Sequence, residues 1–156
     1  MKRLLALSIL SLSSLSVNAW EPVQDGASMS GDNGINAVLA LRNGAAFTSL
    51  TFNVPESYKA RDARCIVEVD GKKLKDGTSY SYLNSDKKIE ATLAFNIVNK
   101  SWDGQTSVQL QKRDFPAVNQ LKRGNVATLR CAEDGVITDF NVSLRGFTKA
   151  FNNLYK

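Results

Sequence analysis

The chain has no histidine among its 156 residues, and that absence decides which chemistry is open to it. Without an imidazole there is no Ser-His-Asp or Cys-His nucleophile and no ordinary His-bearing zinc site. Two cysteines, Cys65 and Cys131, are too few for a thiolate cage and lack the Cys-x-x-Cys spacing of redox catalysts. What remains is carboxylate chemistry, since glycoside hydrolysis needs only a pair of acids. Glu56 and Asp62, Glu133 and Asp134, and Asp139 are available for such a pair. Asp134 is better explained by an Asp134-Gly135 turn, and Asp139 would face Arg130 across a hairpin. Asp25, Ser30 and Asp32 do not follow the spacing of a calcium loop, and no Glu closes the series. The expectation is a protein with no catalytic residues, no cofactor and no metal, with a small carboxylate-dependent hydrolase as the enzymatic alternative.

Binding residues are sought among aromatics in polar surroundings. Trp102 stands in the run Asn99-Lys-Ser-Trp-Asp-Gly104, where Trp102 and Asp103 could be an exposed anchor for a protein or glycan. The competing reading folds Trp102 back over the core edge. Tyr80 and Tyr82 alternate with serines and would form either an aromatic strip or the rim of a sheet. Phe147, Ala150, Phe151 and Leu154 recur at helical spacing, as on a terminal helix docked by one apolar face. If that helix did not dock, the face would become a partner site.

The elements that must position these residues are mostly strands. Alternating apolar residues predict strands over 37–41, 46–54, 65–69, 89–97, 125–131 and 137–144, with shorter ones near Tyr80 and Val108. Over 89–97 the period places Ile89, Ala91, Leu93, Phe95 and Ile97 on one face. Asp70-Gly71 and Asp134-Gly135 read as two-residue hairpin turns. The second pairs Leu129 with Phe140, Ala127 with Val142 and Arg130 with Asp139; the first pairs Glu68 with Lys73. Residues 20–36 read as an extended arm and loop with Trp20 at a sandwich edge, and 56–64 as a polar segment with one helical turn. Pro116 and Gly124 bracket a short helix carrying Val118 and Leu121. The fold class expected is mainly β: an antiparallel β-sandwich of about eight strands with two short helices, one at the C-terminus.

Met1-Lys-Arg followed by the apolar, Ser-rich run Leu4–Leu15 and then Val17-Asn18-Ala19 has the form of a signal peptide cleaved after Ala19. The run is too short to span a bilayer comfortably, which weighs against an uncleaved anchor. Residues 20–156 then form a single domain, soluble and without stable membrane insertion, in the periplasm or outside the cell. In such a compartment Cys65 and Cys131 are expected to bridge, two buried free thiols being the alternative. Both fall on the inward phase of their strands, so a link between the two sheets is the natural arrangement. The net charge of +5 falls to +3 once Lys2 and Arg3 are removed, and the remaining cations are scattered around turns. No nucleic-acid partner is expected from so dilute a pattern.

The run Asn119–Gly124, the strand after it, and Ser143-Leu-Arg-Gly-Phe-Thr-Lys-Ala150 resemble the C-terminal region of the invasion-associated locus B family of small exported bacterial proteins. The likeness covers Asn119 to Leu154, while the Trp-then-Cys opening associated with that family is missing. The resemblance implies a periplasmic or surface β-sandwich with no established enzymatic chemistry, and no catalytic residues to carry over.

The functional expectation is an exported protein that binds a protein or envelope component. Inhibition of an envelope hydrolase through an inserted loop presenting Trp102 and Asp103 is the alternative from another class. Intact mass of the non-reduced protein isolated after export should begin at Trp20, and unfolding should expose no alkylatable thiol. A mass beginning at Met1, or two alkylated cysteines, would contradict export with a bridge.

Overall fold

A computed structural model describes residues 19–43, 46–60, 62–75, 81–83, 86–98, 110–114 and 116–156. Among these residues the chain forms β1 (Glu21–Val23), β2 (Gly26–Ser30), β3 (Asn36–Arg42), β4 (Phe47–Asn53), β5 (Arg64–Val69) and β6 (Lys72–Lys73). It continues with β7 (Ser81–Tyr82), β8 (Lys88–Val98), β9 (Leu110–Asp114), helix α1 (Pro116–Arg123), β10 (Val126–Glu133), β11 (Val136–Ser143) and helix α2 (Phe147–Asn153). All pairings are antiparallel. One sheet has the order β1-β2-β3-β4-β8-β9; the other has β11-β10-β5-β6, with β7 also on β5. The two sheets form a β-sandwich, and both helices contribute buried residues to its core. Leu39, Leu50, Phe52 and Ile89 of the first sheet and Val67, Leu129, Phe140 and Val142 of the second belong to one buried cluster.

Turn chemistry accounts for the second sheet. Asp70 and Gly71 have φ of 49° and 75°, and Asp134 and Gly135 have 49° and 79°. Positive φ at both central residues suits the right-handed twist of the flanking strands, and Asp-Gly adopts it readily. The pairing follows: Leu129 opposes Phe140, Arg130 opposes Asp139, and Glu68 opposes Lys73. The Asp70 carboxylate also accepts hydrogen bonds from the backbone N–H groups of Asn125 and Val126, fixing where β10 begins. On α1, Gln120 donates to the carbonyls of Lys72 and Lys73 and accepts from the N–H of Lys75, so the helix clamps the short edge strand β6.

Cys65 and Cys131 are bridged, with their Cα atoms 4.1 Å apart. The bridge does not join the two sheets. It lies within one sheet, because the register of β10 on β5 sets the two residues directly opposite each other on the core face. Inward phase alone cannot distinguish a partner on the facing sheet from one on the neighbouring strand.

Residues 20–36 differ from the expected arm and loop. They form the β1–β2 hairpin, in which Ala27 and Met29 are the buried pair, and a 3-10 turn at Asp32–Gly34. Two inward apolar residues among Gly, Ser and Asp leave too little alternation to read as a strand. The 3-10 turn then ties the first sheet to edge strand β11. The Asp32 carboxylate accepts from the Asn141 backbone N–H at 2.6 Å and from its side-chain amide at 2.8 Å. Gly31 is required there, since a Cβ would lie 2.2 Å from the Asn141 carbonyl oxygen. Residues 56–64 contain no helical turn among those described; Tyr58 N–H instead closes a reverse turn onto the Pro55 carbonyl.

The strand over 89–97 departs from strict alternation. Thr48 pairs with Ala94 but Ser49 pairs with Thr92, so Leu93 is an extra residue and the phase reverses. Ala94 is buried and Phe95 is 55% exposed, opposite Phe47 on the outer face. A β-bulge shifts which side chains face inward without leaving a turn signal in the sequence. Leu93→Ala should therefore cost about 3 kcal/mol of unfolding free energy as a core truncation, and Phe95→Ala clearly less. Urea denaturation of the two variants checks this; a larger loss at Phe95 would place the bulge elsewhere.

Candidate functional site

A cavity of about 570 Å³ opens where the beginning of the described chain meets α2. One wall comes from Ala19, Trp20, Pro22 and Asp25 along β1 and its turn, with Leu41 of β3 behind. The other comes from Gly146, Lys149, Ala150, Asn153 and Leu154. Their spacing of three and four residues is one side of a helix. Phe147 and Phe151 occupy the adjacent side and are fully buried. Of the expected apolar face of the terminal helix, Phe147 and Phe151 dock into the core, while Ala150 and Leu154 line the cavity.

An aromatic row supports this arrangement. Trp20, 9% exposed, packs edge-on against Phe147 with ring centroids 5.5 Å apart. Phe147 lies 6.0 Å from Phe151, and Phe151 lies 5.5 Å from Tyr155. The Tyr155 hydroxyl is hydrogen-bonded to the Thr48 hydroxyl on β4. Gly146, with φ of 84°, brings α2 in beside Trp20; a Cβ built there would lie 3.9 Å from the indole Cδ1.

Asp25, Lys149 and Asn153 are the charged and amide side chains that line the cavity. The indole N–H of Trp20 is buried and has no acceptor. Such a donor costs roughly 1–3 kcal/mol while it stays unsatisfied. Lys149 and Asp25 are exposed at the rim, and neither forms an ion pair among the described residues. The cavity is open on one side and mixes apolar and polar walls, and its volume falls in the usual range of ligand pockets.

The polar clusters outside the cavity, among the described residues, are hydrogen-bonded among themselves. On the outer face of the second sheet, Arg130 holds Asp139 through two bonds of 2.8 Å and approaches Glu68 at 3.2 Å. The hydrogen bond from Arg130 is the main reason that the Asp139 carboxyl lies below its ordinary range, and the carboxylates in turn raise Arg130. On the first sheet Arg42 donates to the hydroxyls of Ser49 and Thr51, and Thr51 donates to Glu90. Glu133 accepts from the backbone N–H of Asp62, while Glu56 and Asp134 are exposed. These carboxylates form no paired, buried site. Among the described residues no three metal-ligating side chains gather.

Of the binding residues expected from sequence, Trp102, Asp103 and Tyr80 lie outside the described residues. Tyr82 is in β7, its backbone opposite Arg64. The disulfide residues Cys65 and Cys131 are as expected in pairing. The structure adds Trp20, Lys149 and Asn153 as lining residues of the cavity, which composition and strand periodicity do not single out. The one available signal is the spacing of Gly146, Lys149, Ala150 and Asn153 beside the Phe147–Phe151 stripe.

No family model, characterised protein sequence or solved structure matches the chain.

The Arg130–Asp139 pair has a testable sign. A carboxyl held below its unfolded value stabilises the fold above about pH 4, and that contribution fades as the pH falls through the lower folded value. Asp139→Asn should therefore lower the urea midpoint most near neutral pH, with the difference from wild type closing in acid. Because the pair is part-exposed the effect is small. A difference that grows on acidification would contradict the assignment.

Proposed function

We propose that this chain is an exported binding protein, periplasmic or secreted, which holds a protein or envelope component without transforming it. The observation that carries this reading is the cavity of about 570 Å³ between β1 and α2, where apolar Pro22, Leu41 and Leu154 stand beside polar Asp25, Lys149 and Asn153. A buried Cys65–Cys131 bridge is compatible with an oxidising compartment. Among the described residues no helix is long and apolar enough to cross a membrane. Cleavage after Ala19 is part of the proposal. The likeness of Ser143–Ala150 to the invasion-associated locus B family supports an envelope setting and rests on residues 119–154 alone.

Asn153 lies on an exposed position of α2 at the cavity wall, so Asn153→Trp should fill the mouth without disturbing the core. Crosslinked capture from native envelope should recover a reproducible partner with wild type, and about tenfold less with Asn153→Trp at unchanged circular dichroism. Equal capture by the two proteins would remove the cavity from the contact.

A further inference from the structure

We infer that the end of the second sheet where α1 and α2 attach is a cationic surface that docks on anionic phospholipid, separate from the cavity. Its carriers are Lys72, Lys75, Arg123 and Arg145. All four are exposed, and none forms an ion pair among the described residues. The export reading supplies the place where such lipid is met, and none of the four lines the cavity.

Along the chain these cations are dispersed, and the fold brings them to one junction. Gln120 of α1 donates to the carbonyls of Lys72 and Lys73 at 3.2 and 3.1 Å and accepts from the Lys75 N–H at 3.0 Å, which sets β6 and the residues after it against the helix. Helix α1 ends at Arg123, and Gly124 is wedged between the end of β5 and the residue that follows β11. A Cβ there would lie 2.3 Å from Val69 Cγ1 and 3.0 Å from Leu144 Cδ1. Arg123 thus precedes the wedge by one residue, and Arg145 directly follows Leu144. Lys122 stands beside them, its ammonium donating to the neutral Asn152 side chain at 3.3 Å. Asp70 is the carboxylate at this junction among the described residues, and it accepts from the backbone N–H groups of Asn125 and Val126.

Local structure explains part of this charge. Cations suit the C-terminus of α1, and lysines guard an edge strand such as β6 from further pairing. Neither reason covers Arg145. It stands immediately before Gly146, the N-cap of α2, and the first turn of that helix holds no acidic residue. A cation is unfavourable at that end of a helix. The partner chemistry follows from the neighbours. Val126 is the exposed large hydrophobic residue at this end among those described, and it is aliphatic. Without an exposed aromatic beside the cations there is no platform for stacking bases, as a single-stranded nucleic acid would need. A layer of phosphate headgroups requires only several cations on one side, each worth about fivefold in partition.

The test is sedimentation of the exported protein with vesicles of pure phosphatidylcholine and of equal parts phosphatidylcholine and phosphatidylglycerol. Binding should be at least about tenfold tighter to the anionic vesicles. It should weaken as salt is raised to about 0.15 M. Lys72→Gln with Lys75→Gln, and separately Arg123→Gln with Arg145→Gln, should each weaken it about tenfold or more at unchanged circular dichroism. The two pairs sit on different elements, so one remains readable should the other perturb the fold. Lys72→Gln alone should cost about fivefold, and Lys59→Gln, an exposed cation before the other end of β5, less than about twofold. Equal binding to the two vesicles, no binding to either, or a Lys59→Gln loss matching that of Lys72→Gln would overturn the inference. So would tighter binding to single-stranded DNA than to anionic vesicles, or an equal loss of vesicle binding with Asn153→Trp. Absent vesicle binding together with partner capture that Asn153→Trp abolishes would sink this inference and leave the cavity reading standing. Vesicle binding with equal capture by wild type and Asn153→Trp would do the reverse.

Discussion

Strand β10 is the constraint on which the rest of the second sheet depends. It pairs along its length with β11 and with β5, and its inward residues Ala127, Leu129 and Cys131 are all buried. A slip of one residue on either side would turn that set outward and replace it with Thr128 and Arg130. Three local devices oppose the slip. The Asp134-Gly135 turn fixes the register with β11, the Asp70 carboxylate anchors the first N–H groups, and the Cys65–Cys131 bridge fixes the register with β5. Closing a loop with a sequence separation of 66 is worth about 4 kcal/mol in the chain-entropy model. That is a large share of the stability of a small domain.

The outer faces show how polar residues are accommodated once the register is set. Arg130 bridges across three strands to Glu68 and Asp139, and Thr128 donates to Asn141 beside it. The hydroxyls of Ser49 and Thr51, buried on the central strand of the first sheet, are satisfied by Arg42. Among the buried side-chain donors and acceptors described, the indole N–H of Trp20 alone lacks a partner.

Much of the second sheet was legible in the sequence, and the reason is local. Asp-Gly turns and strict alternation specify a hairpin without help from distant residues, so Leu129 opposite Phe140 and Glu68 opposite Lys73 can be read residue by residue. The first sheet was less legible. The bulge at Leu93 reverses the phase of β8 without a local signal, and Ala27 and Met29 are too few to announce β2 among glycine and serine. The candidate site was the least legible part. Its walls come from β1, the end of β3 and α2, and no single segment carries the pattern of a pocket.

By itself the sequence determined what chemistry is closed to this protein and which turns its strands must make, because both depend on residue type and nearest neighbours. The absence of histidine needs no coordinates, and Asp-Gly carries its backbone preference wherever it stands. Tertiary structure alone decided that the disulfide lies within a sheet, that Phe95 faces out, and that Trp20 meets α2 from the opposite end of the described chain. Those outcomes follow from which surfaces bury one another. Hydrophobic burial is non-directional, so local sequence can say that a side chain is buried but not against what.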